Sequence, residues 1–141
     1  DIGAILGQVL PEDLLKYGLI PELIGRLPVL CTLDELTEDQ LIDVLVRPRN
    51  ALCRQYQKFF RMEKVNLRFT DDALRAVARI ALKRGTGARG LRSVLEGAML
   101  DIMYEIPSTE GVIECMITED VVVGRSEPIV VLAEEARKKE A

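Results

Sequence analysis

The chain has 141 residues, of which 48% are hydrophobic and 30% charged, and its formal net charge is −4. This composition is typical of one globular domain, or of one domain with part of another, and no apolar run approaches the roughly 20 residues that span a membrane. The mild negative charge gives no general attraction to nucleic acid or to anionic lipid, so we expect neither as a partner. The sequence has no histidine, which excludes Ser-His-Asp and Cys-His nucleophiles and most zinc sites.

In chain order, the first elements are two short helices that begin at Pro11 and Pro21 and end at Gly18 and Gly25. The apolar, partly β-branched run at 28–33 then predicts a strand.

A capping box starts the next region. The hydroxyl of Thr37 can accept from the amide of Gln40, whose side chain can reach back. We expect a helix from there to about Val46, ended by Pro48. The change of pattern places a domain boundary at 33–36.

Helices then interleave with short strands, which predicts an α+β fold in which helices pack on a small sheet. The charged tail at 134–141 is expected to be frayed. The predicted elements are a helix with Leu52, Tyr56, Phe59 and Phe60 on one face; a strand at 65–69; a helix capped by Thr70 with Leu74, Val77, Ala78 and Ala81 inward; a helix at about 88–104 with Leu91, Val94, Leu95, Ala98 and Ile102 inward; and strands at 112–117 and 128–132.

The three cysteines, Cys31, Cys53 and Cys115, are far apart and lie in apolar contexts. We expect buried, unreactive thiols and no metal site. With no secretory signal visible at the N-terminus, this favours a reducing, cytoplasmic location.

Residues 85–90 spell GxGxxG, the glycine pattern of dinucleotide sites. Such a site needs a strand before the glycines, whereas a helix precedes these, so Gly85 and Gly87 are interpreted as turn residues between two helices. Arg89 falls in the first turn of the second helix, where a cation opposes the helix dipole. A bound anion would explain that position, and so would a simply solvated arginine; spacing alone leaves both open.

A winged-helix nucleic-acid-binding domain is the alternative interpretation. A helix, a glycine turn, a second helix and two strands match its outline, and Lys83, Arg84, Arg89 and Arg92 form a basic cluster. The acidic net charge and the three acids with no base at 112–123 oppose it.

Several segments together resemble the Clp/Hsp100 AAA+ ATPases. Residues 18–29 resemble the arginine-finger segment of that family, and residues 85–93 resemble its sensor-2 motif. Pro48-Arg-Asn-Ala-Leu52, Gln55-Tyr-Gln57 and the run at 103–108 resemble the ClpX-type branch. The similarity extends from about residue 10 to 132.

The resemblance implies that residues 1–35 end a large α/β ATPase domain and that 36–133 form the AAA+ small domain. It further implies that Arg26 is an arginine finger acting in trans on a neighbouring subunit, and that Arg89 is the sensor-2 residue acting in cis. The function that the resemblance implies is that of a homohexamer that hydrolyses ATP to ADP with Mg²⁺. Such a ring would unfold tagged proteins brought by adaptors and pass them to the ClpP peptidase.

The Walker A loop, the Walker B acids and the N-terminal zinc module of the family have no counterpart in this sequence. We therefore expect the chain to be a piece of a longer subunit, inactive as an ATPase by itself and containing no metal ligands of its own.

Overall fold

The computed structural model describes residues 2–133, which form eight α-helices, one 3-10 turn and three β-strands. The chain divides into two compact units between residues 35 and 36, and the predicted charged tail at 134–141 lies outside the described residues. The elements are α1 (Ile2–Leu6), α2 (Pro11–Tyr17), α3 (Pro21–Ile24), α4 (Glu38–Val46), α5 (Leu52–Met62), β1 (Asn66–Phe69), α6 (Asp71–Lys83), α7 (Gly87–Glu105), the 3-10 turn Ile106–Ser108, β2 (Val112–Ile117), α8 (Glu119–Val122) and β3 (Ile129–Leu132).

The first unit contains α1 to α3. The two predicted short helices are confirmed: each begins at a proline, and Gly18 ends α2 with φ of 114°. None of the side chains at 2–35 is buried, and large apolar ones such as Tyr17 and Leu33 are 87% and 88% exposed. This unit therefore has no hydrophobic core within the described residues.

The predicted strand at 28–33 is wrong, because this segment has no regular secondary structure. A strand is stable only when a neighbouring strand satisfies its backbone hydrogen bonds, and the described part of the first unit contains no other strand. The prediction of a buried thiol fails at the same place, because Cys31 is exposed.

The second unit opens with the predicted capping box. The amide of Gln40 donates to the Thr37 hydroxyl at 3.3 Å, and the Thr37 amide donates to the Gln40 side chain at 2.9 Å. The helix α4 that follows buries Leu41 and Leu45 completely. It ends before Pro48, as predicted.

Thr70 joins three elements at the start of α6. Its hydroxyl oxygen accepts from the amide of Ala73 at 3.2 Å, which caps the helix, and it donates to the carbonyl of Ile117 at 3.2 Å. The predicted cap is confirmed, and it also fixes the end of β1 beside the end of β2.

The sheet has the strand order β1-β2-β3, with β1 parallel to β2 and β2 antiparallel to β3. The parallel pairing follows from the connection, because α6 and α7 form a crossover between β1 and β2. The central strand β2 buries Cys115 and Ile117 fully. All three predicted strands of this unit are confirmed.

Helices α4 to α7 pack with this sheet around one core, so the α+β prediction is confirmed. The four inward residues predicted for α6 are all buried. On α7, Ala98 is only half-buried, whereas Met99, which the prediction omitted, is fully buried. The short α8 was not predicted, although its Val121 contributes to the core. No helix in residues 2–133 is long and apolar enough to cross a bilayer.

The thiols give a direct test of this fold. Burial raises the pKa of Cys53 to about 12 and that of Cys115 to about 11, while Cys31 is exposed. Because the thiolate is the nucleophile, we expect an aromatic disulfide reagent at pH 8 to label one thiol quickly in the native chain and all three in denaturant. Cys31→Ser should remove the fast phase, and fast labelling of Cys115 in the native chain would contradict the fold.

The same pKa shifts set a pH dependence. Above the usual thiol pKa of 9.0 the unfolded chain loses these protons while the folded chain keeps them. The free energy of unfolding should therefore fall as the pH rises from 9 through the folded pKa values. A urea titration at pH 8 and pH 10 measures this change.

Candidate functional site

The turn between α6 and α7 combines open backbone donors with cations. Gly85 and Gly87 adopt φ of 64° and 53°, which is the left-handed region that glycine enters without strain. They reverse the chain between the two helices. The interpretation of these glycines as turn residues is confirmed.

Hydrogen bonds hold Thr86 against the end of the preceding helix, α6. Both its backbone amide and its hydroxyl donate to the carbonyl oxygen of Ala81, each at 3.3 Å. Although Thr86 occupies the N-cap position of α7, its side chain makes no capping hydrogen bond to that helix. A residue type that normally caps is therefore engaged elsewhere.

The backbone amides of Gly87, Ala88 and Arg89 have no acceptor among the described residues. Amides in the first turn of a helix point outward along the axis and carry its positive dipole end. Such a group of amides can accept an anion such as a phosphate.

Gly90 allows α7 to pass close to this turn. It is buried, and a Cβ atom at this position would lie 2.7 Å from Cβ of Thr86 and 3.7 Å from Cβ of Ala81. The first distance is well inside van der Waals contact, so a larger residue would displace Thr86. This role of Gly90, the third glycine of the motif, was not predicted from the sequence, because it depends on how α7 packs against the turn.

The cations of the turn have no intramolecular partners. The Arg89 side chain is exposed and forms no hydrogen bond or ion pair within residues 2–133, and the same holds for the side chains of Lys83 and Arg84. Arg92 differs, because it pairs with Glu96 at 3.4 Å one turn along α7. Free guanidinium and ammonium groups beside free amides suit a multiply charged anion.

Arg26, the other candidate, lies in the first unit directly after α3 and Gly25. Its side chain is exposed and has no hydrogen-bonding or ionic partner in the described part of the chain. Its proposed role across a subunit interface stays a prediction.

No group of three or more Asp, Glu or Cys side chains that could hold a metal ion occurs within residues 2–133.

A comparison with protein-family models matches residues 36–118 to the C-terminal, D2-small domain, of ClpB protein. The match covers more than half of the 141 residues. The chain belongs to the Clp/Hsp100 family of AAA+ proteins. The second unit is its C-terminal small domain, with helices packed on a three-stranded mixed sheet, and the sensor-2-like turn lies within the matched region.

The winged-helix alternative accounts less well for this small domain. A wing is a hairpin of sequential strands, whereas β2 and β3 are separated by α8, and β2 pairs in parallel with β1. The winged-helix interpretation also used a basic cluster of four residues. One of them, Arg92, is neutralised by its ion pair, so fewer free cations remain to bind nucleic acid.

Two glycine substitutions on α7 test the geometry of the turn. Gly90→Ala should lower the free energy of unfolding by about 1–3 kcal/mol, because the new methyl group overlaps Thr86. Gly97→Ala is the matched control: nothing lies within 4 Å of the Cβ atom that an alanine would add there, so this exposed mid-helix change should stabilise by about 0.5–1 kcal/mol. Urea unfolding followed by helical circular dichroism measures both, and equal effects would contradict the close approach at Gly90.

Proposed function

We propose that the chain is the C-terminal part of a ClpX-type AAA+ ATPase subunit. In this proposal the subunits form a ring of six, unfold proteins at the expense of ATP and deliver them to the ClpP peptidase. The observation that carries the ATPase part of the proposal is the first turn of α7, where free amides and the unpaired Arg89 lie together within the matched small domain.

Arg89 is proposed as the sensor-2 residue. The nucleotide supplies the phosphoanhydride bond, and the residues of this chain bind and orient its phosphates. An exposed guanidinium without a competing carboxylate can form two parallel hydrogen bonds to phosphate oxygens. The adjacent amides of α7 would add neutral donors aimed at the same anion.

Arg26 is proposed to act on the nucleotide of a neighbouring subunit. An arginine finger must be free to reach the neighbouring subunit, and the Arg26 side chain has no partner among the described residues. Its positive charge would stabilise the negative charge that develops on the transferred phosphoryl group. The phosphate loop and the Mg²⁺ ligands would belong to the rest of the subunit.

The first unit supports its proposed place at the end of the large ATPase domain. Its large apolar side chains are exposed, including Ile5 at 71% and Val29 at 74%. Exposed apolar residues at this density mark surface that is covered in the assembled protein. We propose that the remainder of the ATPase domain covers them.

The ClpX-type assignment is supported by the resemblance of three segments rather than by the family match. All three segments take part in local hydrogen bonds of the small domain. Gln55 donates to the carbonyl of Asn50 at 2.8 Å, and Ser108 donates to that of Tyr104 at 3.2 Å. Proposed delivery to ClpP therefore rests on the assignment to this branch, and not on a docking contact of these residues.

The two arginines can be separated in rings of covalently linked subunits that carry this chain together with a phosphate loop. Arg26→Ala should silence the nucleotide site of the adjacent subunit, because the finger acts in trans. Arg89→Ala should silence the site of its own subunit. Arginine fingers contribute about 10³- to 10⁵-fold to the rate, so each loss should be large, and lysine should restore it only in part because it lacks the planar fork.

The measurement is the ATPase rate with each substitution placed in chosen subunits, and Arg92→Ala, at an ion-paired arginine, is the control. If Arg26→Ala silenced only the site of its own subunit, the finger assignment would be wrong. If Arg89→Ala left both nucleotide affinity and rate unchanged, Arg89 would be a solvated surface residue.

A further inference from the structure

Helix α5 and the residues beside it carry a second basic surface. Arg54, Lys58 and Arg61 recur at helical spacing and so lie along one side of α5. Arg49 precedes the helix and Lys64 follows it, and all five side chains are exposed. We call these five residues the α5 basic face.

None of the five forms an ion pair within residues 2–133. Elsewhere in the small domain, ion pairing is the rule for arginine: the paired ones are Arg47, Arg68, Arg75, Arg79, Arg92 and Arg125. The chain has more acids than bases, yet its described carboxylates leave this surface uncompensated. Like charges held close together repel one another, so the concentration of five unpaired cations favours an external anion.

The face borders a shallow groove. One cavity of about 630 Å³ is lined by Arg49, Arg54, Gln57, Lys58, Arg61 and Met62. A second cavity of about 260 Å³ shares Gln57 and Arg61 with the first and continues to Lys64 and the start of β1. No acidic side chain lines either cavity, so the groove is basic along its whole course.

We propose that the α5 basic face docks an extended, acidic peptide segment of a partner protein. Acids at alternate positions of an extended chain are about 6.6–6.8 Å apart, and cations three or four residues apart on a helix are separated by about 4.5–6 Å along its axis, a gap that their long side chains can span. Arg54, Lys58 and Arg61 can thus each meet one acid. Met62, 74% exposed at the edge of the groove, offers a flexible apolar contact for an intervening side chain.

A nucleic acid fits this surface less well. Proteins that bind single strands stack bases on aromatic rings, and neither cavity is lined by one. The net charge of −4 also opposes the approach of a polyanion as a whole, whereas a short acidic segment needs only local complementarity. The proposal does not rest on the ATPase assignment, because it uses neither Arg26 nor the turn before α7.

The test uses the whole chain and a fluorescein-labelled peptide of repeated Glu-Leu-Glu-Ser units, followed by fluorescence anisotropy. We expect saturable binding that weakens as salt is added, and no binding of the same peptide with Gln in place of Glu. The triple variant Arg54→Gln, Lys58→Gln, Arg61→Gln should bind about tenfold more weakly or worse, since three exposed charge contacts are lost. The control triple variant Arg79→Gln, Arg92→Gln, Arg125→Gln removes the same charge from the paired arginines and should bind as the parent does.

Equal weakening in both triple variants would overturn the proposal, because it would reduce the effect to net charge. A single-stranded oligodeoxynucleotide could instead bind more tightly than the peptide and lose that binding in the α5 variant. This result would identify nucleic acid, and not an acidic peptide, as the ligand. A photo-crosslinker in the peptide gives a readout that needs no variant: the expected adducts fall within residues 49–67, and adducts concentrated elsewhere would refute the site.

Discussion

Two hydrogen bonds from Thr86 to the carbonyl of Ala81 determine how the small domain presents its candidate site. They bind the turn to the end of α6 and turn the threonine hydroxyl away from α7. The first amides of a helix have no acceptor within it, and the Thr86 side chain does not cap those of α7. The constraint works only because Gly90 has no side chain, since a Cβ atom there would collide with Thr86.

The rest of the small domain holds this turn in place. Helices α6 and α7 form the crossover between the parallel strands β1 and β2, and Thr70 ties the start of α6 to the end of β2. Buried residues of α7, among them Leu91, Leu95 and Met99, anchor the helix in the core beyond its first turn. Arg89 therefore projects from a rigid support, and any anion it binds is positioned by backbone as well as by side chain. A site on such a support can report the state of a bound phosphate to the whole domain.

Local chemistry made much of the small domain predictable. The capping box at Thr37, the cap at Thr70 and the apolar stripe of α6 each depend on neighbouring residues, so they could be read from the sequence. The strand expected at 28–33 could not form on local preference alone, because a strand depends on a partner. Cys31 lies in the first unit, where no described side chain is buried, whereas the other two thiols belong to the core of the second unit.

The candidate site was predictable only in part. The spacing of Arg89 from the helix start showed that a cation stood where a dipole disfavours it. The hydrogen bond from Thr86 to the preceding helix and the close approach of Gly90 to Thr86 could not be predicted, because both depend on how two helices pack. The α5 basic face likewise could not be predicted from the sequence, because ion pairing between distant segments decides which cations stay unpaired. Glu38, for example, pairs with Arg75 and Arg79, which lie far along the chain on α6.

We propose that the first turn of α7 binds phosphate through its amides and Arg89. A titration of the isotopically labelled chain with pyrophosphate, followed through backbone amide resonances, tests it most directly. We expect the largest shifts at Gly87, Ala88 and Arg89, with clearly weaker binding in Arg89→Gln and unchanged binding in Arg92→Gln. Shifts that avoid this turn, or that are the same in Arg89→Gln as in the parent chain, would contradict it.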